Sequence, residues 1–260
     1  TEGGATTMRA IGDPPGTVGA ALDELKLIGE NGQECEPACF DENGLFLNYS
    51  KAVGEIINTG GIGTFEGYYK NPEATAAKSR DNMFHTGDMG FIRILEKDGQ
   101  KIRYLYFVGR TDDWIRKDGE NFLADPIEDI IGRHPAVFLS SVYGVPCDQG
   151  DELVMVSLTL REGVSFDPKG LYQFCLQQKD MSTKWMPDYV RIMKTLPQTD
   201  TNKVLRRHLK QDFFDLERVK DPIFWRERDD DSYKPFGPKD LELLKEKFQR
   251  VGRGMDLIRG

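Results

Sequence analysis

The residues whose types and spacing could do chemistry are concentrated in one stretch, residues 106–121. Arg110 follows directly on an apolar, strand-like run that ends at Gly109. The run gives a rigid base, the glycine lets the backbone turn, and the arginine presents a fork of fixed donors. The adjacent acids Asp112 and Asp113 could indicate general acid–base work in a hydrolase, which no other motif supports. A strand, a turn and a charged loop without any site is the plainer interpretation.

Two further candidates lie outside this stretch. Asp88 ends the sequence His-Thr-Gly-Asp between two apolar runs, where we expect an acid to be presented rather than buried. An ordinary turn aspartate is the alternative. Lys203 follows a polar loop, and by itself it would be interpreted as a surface lysine in a basic stretch with Arg206 and Arg207.

Short apolar runs that alternate with turns must position the first two candidates. Their spacing over residues 1–111 predicts a small, mostly antiparallel sheet or barrel. Phe91 to Leu95 and Lys101 to Val108 predict a hairpin around Asp98-Gly99. Asn71-Pro72 is typical of the start of a short helix.

Beyond residue 111 the pattern changes to helix, strand, strand, helix, strand, helix. This order predicts a small α+β domain over residues 112–214, whose first helix is capped by Asp125-Pro126. Residues 215–260 are a third piece, a C-terminal extension with an amphipathic helix from Pro238 to Arg250. We expect this helix to dock on the parent protein, or else to self-associate. The fold class of the whole chain is α+β.

Composition excludes several classes of function. The 260 residues suit two compact units, and 38% hydrophobic residues lie in the globular range. A net charge of -8 does not favour a general nucleic-acid or anionic-membrane binder. The four cysteines form no CxxC pair and lie near no histidine, so zinc binding is not expected.

Targeting signals are equally sparse. There is no apolar run of about 20 residues and no signal-peptide pattern. Free thiols in a cytoplasmic protein are therefore the expectation. The sequence opens on Thr-Glu-Gly-Gly without a methionine, which favours a fragment cut from a longer protein.

Five short segments, taken together and in this order, resemble the second half of the adenylate-forming enzymes, which include acyl-CoA synthetases, peptide-synthetase adenylation domains and luciferases. The segments are Thr1-Glu2-Gly3, residues 54–75, His85 to Asp88, Gly109 to Asp113 with Gly119, and Leu196 to Lys203. The resemblance covers residues 1 to about 210. It implies that a carboxylate is joined to the α-phosphate of ATP and that the acyl group then passes to CoA.

Within that superfamily the chain looks most like the very-long-chain acyl-CoA synthetase and fatty acid transport protein branch. The Gly-Glu-Asn sequence at 119–121 and the Asn-Lys sequence at 202–203 are similar to that branch. The extension from Asp221 to Pro235 also resembles it. These matches are looser than the superfamily motifs.

The resemblance assigns the nucleotide site to the first half of the chain. Glu2 would hold Mg²⁺, and Thr1 would donate a hydrogen bond to a phosphate oxygen. Asp88 would accept both ribose hydroxyls, and Arg110 would contact the ribose from the other side. Phe107 would pack near the nucleotide, although a core aromatic residue is the plainer interpretation.

The resemblance assigns the moving parts to the second half. Lys203 would bridge the carboxylate and the α-phosphate as the catalytic lysine. Asp112 would be the hinge between an adenylation and a thiolation pose. Gly119 would line the CoA tunnel, where a side chain would narrow the passage. Asn121 stands where some relatives carry arginine, which puts a phosphate-binding role there in doubt.

The family's phosphate loop and acyl pocket would lie upstream of Thr1, in the N-terminal part of the same enzyme. We therefore expect the 260 residues alone to bind nucleotide poorly. The expected partners are a fatty acid, ATP and CoA, with no nucleic acid and with any peripheral membrane association made through the missing part. A non-catalytic scaffold with the same fold, and an enzyme that uses another acyl acceptor, are the open alternatives.

Overall fold

A computed structural model describes residues 7–60, 65–81 and 83–252. It divides into two compact units, Thr1–Asp112 and Asp113–Gly260. Both units combine helices with largely antiparallel sheets, so the predicted α+β class is confirmed. The predicted boundary, between residues 111 and 112, lies one residue before the observed division.

The first unit is built on one antiparallel sheet whose described strands run in the order β1-β2-β7-β6-β4-β3, with β5 paired to β6. Its strands are β1 (Thr7–Met8), β2 (Gly19–Ala21), β3 (Leu25–Ile28), β4 (Gly54–Asn58), β5 (Ser79–Arg80), β6 (Met83–Lys97) and β7 (Gln100–Arg110). Two short helices, α1 (Tyr49–Ala52) and α2 (Pro72–Lys78), accompany the sheet. The Asn71 side chain caps α2 by accepting a hydrogen bond from the Ala74 N–H at 3.0 Å, as the sequence predicts.

The long hairpin of β6 and β7 forms the centre of this sheet. Its turn is Asp98-Gly99, with φ angles of 52° and 76°, which suit a two-residue loop between paired strands. The register shifts between Met89 and Gly90, so the strands are bulged close to the end that carries Asp88. A bulge of this kind re-aims the side chains beyond it.

The second unit has a five-stranded sheet in the order β10-β11-β12-β13-β14, in which only β11 and β12 are parallel among the described pairs. A separate hairpin precedes it. The strands are β8 (Trp114–Lys117), β9 (Glu120–Leu123), β10 (Val137–Pro146), β11 (Glu152–Leu160), β12 (Tyr189–Ile192), β13 (Ile223–Trp225) and β14 (Lys234–Pro235). The helices are α3 (Ala124–Gly132), α4 (Pro168–Gln177), α5 (Arg206–Asp212) and α6 (Pro238–Arg250).

The C-terminal extension differs from its prediction, because its described part is not a separate piece. Strands β13 and β14 continue the sheet of the second unit. Helix α6 buries Leu241 and Phe248 in one apolar cluster with Leu209 and Phe214. The apolar face of α6, which we expected to dock on the parent protein or to self-associate, is thus covered by the core of the second unit.

Across the described residues, no helix combines the length and the apolar character needed to cross a bilayer.

Replacing Phe248 tests whether the extension belongs to this core. Phe248→Ala should lower the free energy of unfolding by about 3–5 kcal/mol, because a side chain only 2% exposed leaves a cavity behind. Leu243→Ala is the matched control in the same helix. Its side chain is 50% exposed, so the change should stay within about 0.5 kcal/mol. Equal effects in urea unfolding would show that α6 does not contribute to the core.

Candidate functional site

Asp88 and Arg110 face each other across β6 and β7. The Arg110 Nε lies 3.8 Å from the Asp88 Oδ1, and their side chains are 68% and 43% exposed, respectively. An ion pair this exposed contributes only about 0–1 kcal/mol to stability. The two side chains are therefore available to an external ligand, and Asp88 is presented as predicted.

The backbone before Asp88 is fixed by Glu55, which the sequence reasoning did not single out as a site residue. One oxygen of this carboxylate accepts the Gly87 N–H at 3.0 Å, and the other lies 2.9 Å from the His85 Nδ1. Gly87 has a φ of 71°, a conformation that suits glycine. The Asp88 N–H donates to the Thr86 Oγ1 at 3.0 Å. The part of β6 that presents Asp88 is thus fixed by Glu55 and by Thr86.

Phe107 is not a core residue of its strand. It is 49% exposed, whereas Tyr104 and Leu105 on the same strand are buried. The plainer interpretation of Phe107, a core aromatic residue, is therefore wrong. An exposed aromatic ring on the strand that carries Arg110 could pack against a planar ligand.

Three other predicted residues can be compared with the structure only in part. Thr1 and Glu2 lie outside the described residues. Asp112 lies in a short 3₁₀ turn, Thr111–Asp113, at the division between the two units.

The hairpin of β8 and β9 carries Gly119. Asp118 and Gly119 form its two-residue turn with φ angles of 51° and 73°. Within the described part of the chain, a Cβ on Gly119 would meet no atom within 4 Å beyond its neighbours. Backbone conformation alone thus accounts for this glycine, while its place in a CoA tunnel stays a prediction.

Lys117, in the same hairpin, anchors it through a buried ion pair that sequence reasoning missed. Its Nζ lies 2.5 Å from the Asp188 Oδ2, and both side chains are nearly buried. The same oxygen accepts the Val154 N–H at 2.8 Å. Burial raises the pKa of Asp188, and the Lys117 ammonium opposes that shift. The pair fixes the hairpin to strand β11 of the sheet.

A cavity of about 490 Å³ opens beside this hairpin. The cationic side chains in its lining are those of Lys117, Arg226, Arg228 and Lys247. The carboxylates in its lining are those of Asp118, Asp148, Asp151, Glu152, Asp188 and Glu227. Since the carboxylates outnumber the cations, the lining does not favour a polyanionic ligand.

Lys203 lies in a tight turn between β12 and α5. Its N–H donates to the Thr199 Oγ1 at 3.1 Å, and its carbonyl accepts the Thr199 N–H at 2.8 Å. Asn202, with a φ of 61°, lets the backbone close this turn. The Lys203 side chain is exposed. A fixed backbone with an exposed lysine side chain suits a group that must reach a ligand.

Arg206 contradicts its interpretation as part of a basic surface stretch. Its side chain is 16% exposed, and its Nη1 lies 2.5 Å from the Asp113 Oδ2. Its Nη2 lies 2.8 Å from the Asp125 Oδ1 and 2.9 Å from the Glu128 Oε1. Sequence shows Arg206 beside Arg207 but cannot show the three acids that the fold brings to it.

The cluster around Arg206 accounts for the pKa shifts of two side chains, and the predicted capping of α3 by Asp125 is wrong. Burial disfavours a charged Arg206, but Glu128 and its neighbouring acids outweigh burial and raise the pKa of that guanidinium. Burial also raises the pKa of Glu128 against the pull of Arg206. Asp125 does not cap α3, because the helix begins at Ala124 with Leu123 as its N-cap residue. The Asp125 carboxylate instead pairs with Arg206.

Comparison with known proteins finds a family match for part of the chain and several similar proteins. Residues 126–203 match the AMP-binding enzyme C-terminal domain. Steroid-22-oyl-CoA synthetase of Rhodococcus jostii is 34% identical over 256 residues, which cover 97% of this chain and 44% of that protein. Medium/long-chain-fatty-acid–CoA ligase FadD17 of Mycobacterium marinum is 36% identical over 230 residues, covering 88% and 41%.

Structural similarity agrees with these relatives. ATP-bound MatB from Rhodopseudomonas palustris aligns with a TM-score of 0.58 and 28% identity, covering 75% of this chain and 35% of its own. The chain spans less than half the length of the synthetase from Rhodococcus and of the ligase from Mycobacterium. Its residues 126–203 match the C-terminal domain of AMP-binding enzymes, and these two relatives are, by their names, a CoA synthetase and a CoA ligase.

The buried pair in the β8–β9 hairpin makes a direct prediction. Lys117→Met should lower the free energy of unfolding by about 3–5 kcal/mol, because Asp188 would be left buried without its cation. Adding Asp188→Asn should recover most of that loss, since the amide oxygen can still accept the Val154 N–H. A double variant as unstable as Lys117→Met in urea unfolding would contradict this account.

Proposed function

We propose that this chain is the C-terminal part of an ATP-dependent, AMP-forming acyl-CoA ligase. The exposed pair of Asp88 and Arg110 carries the proposal. It joins an acceptor-only carboxylate and a donor-only guanidinium on a rigid hairpin, although the pair adds little to stability. A ribose with two adjacent hydroxyl groups matches this combination.

In the proposed site, Asp88 accepts the ribose hydroxyls and Arg110 donates to the ribose from the other side. Phe107 packs its exposed ring near the nucleotide. Thr1 would donate to a phosphate oxygen and Glu2 would hold Mg²⁺. Those two roles rest on the motif alone, because both residues lie outside the described part of the chain.

Lys203 acts in the adenylation step. The carboxylate of the acid attacks the α-phosphate of ATP, a P–O bond forms, and pyrophosphate leaves. A lysine ammonium that contacts both reactants neutralises charge that builds up in this transition state. Its position in a closed turn at the end of the matched domain supports this role.

Asp112 is the proposed hinge and Gly119 the proposed contact with the CoA arm. Rotation of the backbone at the division between the units would exchange Lys203 for the β8–β9 hairpin at the reaction centre. The CoA thiol then attacks the acyl carbon, the thioester forms, and AMP leaves.

For the substrate we propose a long hydrophobic carboxylic acid. The relatives named above act, by their names, on steroid-22-oyl and on medium- or long-chain acyl groups. Their names do not single out the very-long-chain branch, which rests on Gly119 to Asn121 and the Asn-Lys sequence at 202–203.

We also propose that these 260 residues cannot catalyse the reaction alone, since they span less than half of the related ligases. Activity then requires the complete enzyme that carries this chain.

Lys203→Ala in the complete enzyme tests the adenylation role. Acyl-adenylate formation should fall about 100-fold or more, whereas thioester formation from preformed acyl-adenylate should persist. Lys194→Ala, at an exposed lysine upstream of the same loop, is the control and should change neither half-reaction. Unchanged adenylation in Lys203→Ala would refute the proposal.

Gly119→Asn separates a turn glycine from one that lines a tunnel. Asparagine tolerates positive φ, so folding stability should change by less than about 1 kcal/mol. If the CoA arm passes here, thioester formation from preformed acyl-adenylate should slow about tenfold or more while adenylation persists. Normal thioester formation would leave Gly119 with a role in the hairpin turn only.

A further inference from the structure

We propose that Asp113 is a positioning residue for Lys203 and that it acts through the guanidinium of Arg206. This inference rests on the adenylation role proposed for Lys203. It adds a residue that touches neither nucleotide nor acyl group but fixes the lysine that does.

The contacts form a short path within the second unit. Asp113 is the first residue of that unit and follows the proposed hinge residue directly. Its Oδ2 lies 2.5 Å from the Arg206 Nη1. Arg206 is the first residue of α5, three positions after Lys203. The ion pair of Asp113 and Arg206 therefore joins the segment directly after the proposed hinge to the segment directly after the Lys203 turn.

The backbone between Lys203 and Arg206 is short and held at both ends. The Leu205 N–H donates to the Pro197 carbonyl at 2.8 Å, and the Lys203 carbonyl accepts the Thr199 N–H at 2.8 Å. A shift of Arg206 therefore shifts the lysine turn with it. Misplacement of a reacting group by about 1 Å can cost about 100-fold in rate.

The three acids around Arg206 are not equivalent. Asp125 and Glu128 both bind Nη2, so loss of either leaves the other in place. Asp113 is the acid on Nη1. Loss of the Asp113 charge would leave Nη1 without its carboxylate, while Asp125 and Glu128 on α3 would still bind Nη2.

This asymmetry supplies a matched pair of variants. Asp113→Asn and Asp125→Asn each remove one negative charge from the same arginine with no change in side-chain size. Both should fold, because two of the three carboxylates remain beside Arg206. In the complete enzyme, Asp113→Asn should slow acyl-adenylate formation about 10- to 100-fold with an unchanged KM for ATP. Asp125→Asn should stay within about threefold of the unaltered enzyme.

A double variant distinguishes positioning from general destabilisation. If Asp113 acts through Lys203, Asp113→Asn should have no further effect on adenylation in the Lys203→Ala background. Asp113→Glu keeps the charge and should recover adenylation to within about threefold of the unaltered enzyme. Should Asp113→Asn not fold, Asp113→Ser takes its place in both backgrounds. Thioester formation from preformed acyl-adenylate should persist in every single variant.

The outcomes separate this inference from the proposed function. Normal adenylation in Lys203→Ala would overturn both. Slow adenylation in Lys203→Ala, with Asp113→Asn no slower than Asp125→Asn, would overturn the positioning role alone. The positioning role would also be overturned if Asp113→Asn slowed adenylation by the same factor in the Lys203→Ala background as in the unaltered enzyme.

Discussion

The second unit depends on one nearly buried guanidinium, that of Arg206. Removing such a group from water costs several kcal/mol unless geometry and charge compensate. Asp113, Asp125 and Glu128 provide that compensation at distances of 2.5 to 2.9 Å. These acids come from the start of the unit and from helix α3, so the Arg206 side chain joins α5 to two segments that are far from it in sequence. Substitution of Arg206 would leave three carboxylates close together without their cation, which would destabilise the unit. Substitutions of the individual acids therefore test the role of this cluster better than a substitution of the arginine.

The first unit solves a different physical problem, the presentation of charge without loss of rigidity. Asp88 and Arg110 are exposed, but the backbone beneath them is held by Glu55, by Thr86 and by the long β6–β7 hairpin. A rigid strand pair can place two side chains more accurately than a loop. The lysine in the second unit is placed by an equally closed turn, although its side chain is free to extend into solvent.

The sequence was most informative where local rules decide the structure. Asp98-Gly99 predicted its hairpin turn, and Asn71-Pro72 predicted the start of α2, because turns and caps depend on a few adjacent residues. It was misleading where tertiary contacts decide. Asp125 looked like a helix cap and Arg206 like a surface residue, yet the fold pairs the two with each other.

The candidate site follows the same rule. Asp88 and Arg110 stand out because each directly follows a glycine, and Gly109 ends an apolar run. Glu55 and Lys117 did not, since their roles depend on Gly87, His85 and Asp188, which are far away in sequence. The amphipathic pattern of α6 predicts an apolar face but not what covers it, and the second unit's own core covers it.

The central claim is that the second unit turns as one body about Asp112 and carries Lys203 with it. The distance between the units can be measured in the complete enzyme with spin labels attached to cysteines that replace Lys101 and Lys179. The exposed Cys39 is replaced by serine so that it does not take up a label. A second pair, at Lys179 and Asp200, measures a distance within the second unit. The first distance should differ between an acyl-adenylate analogue and added CoA, while the second stays constant. One unchanged distance between the units in both states would contradict the account.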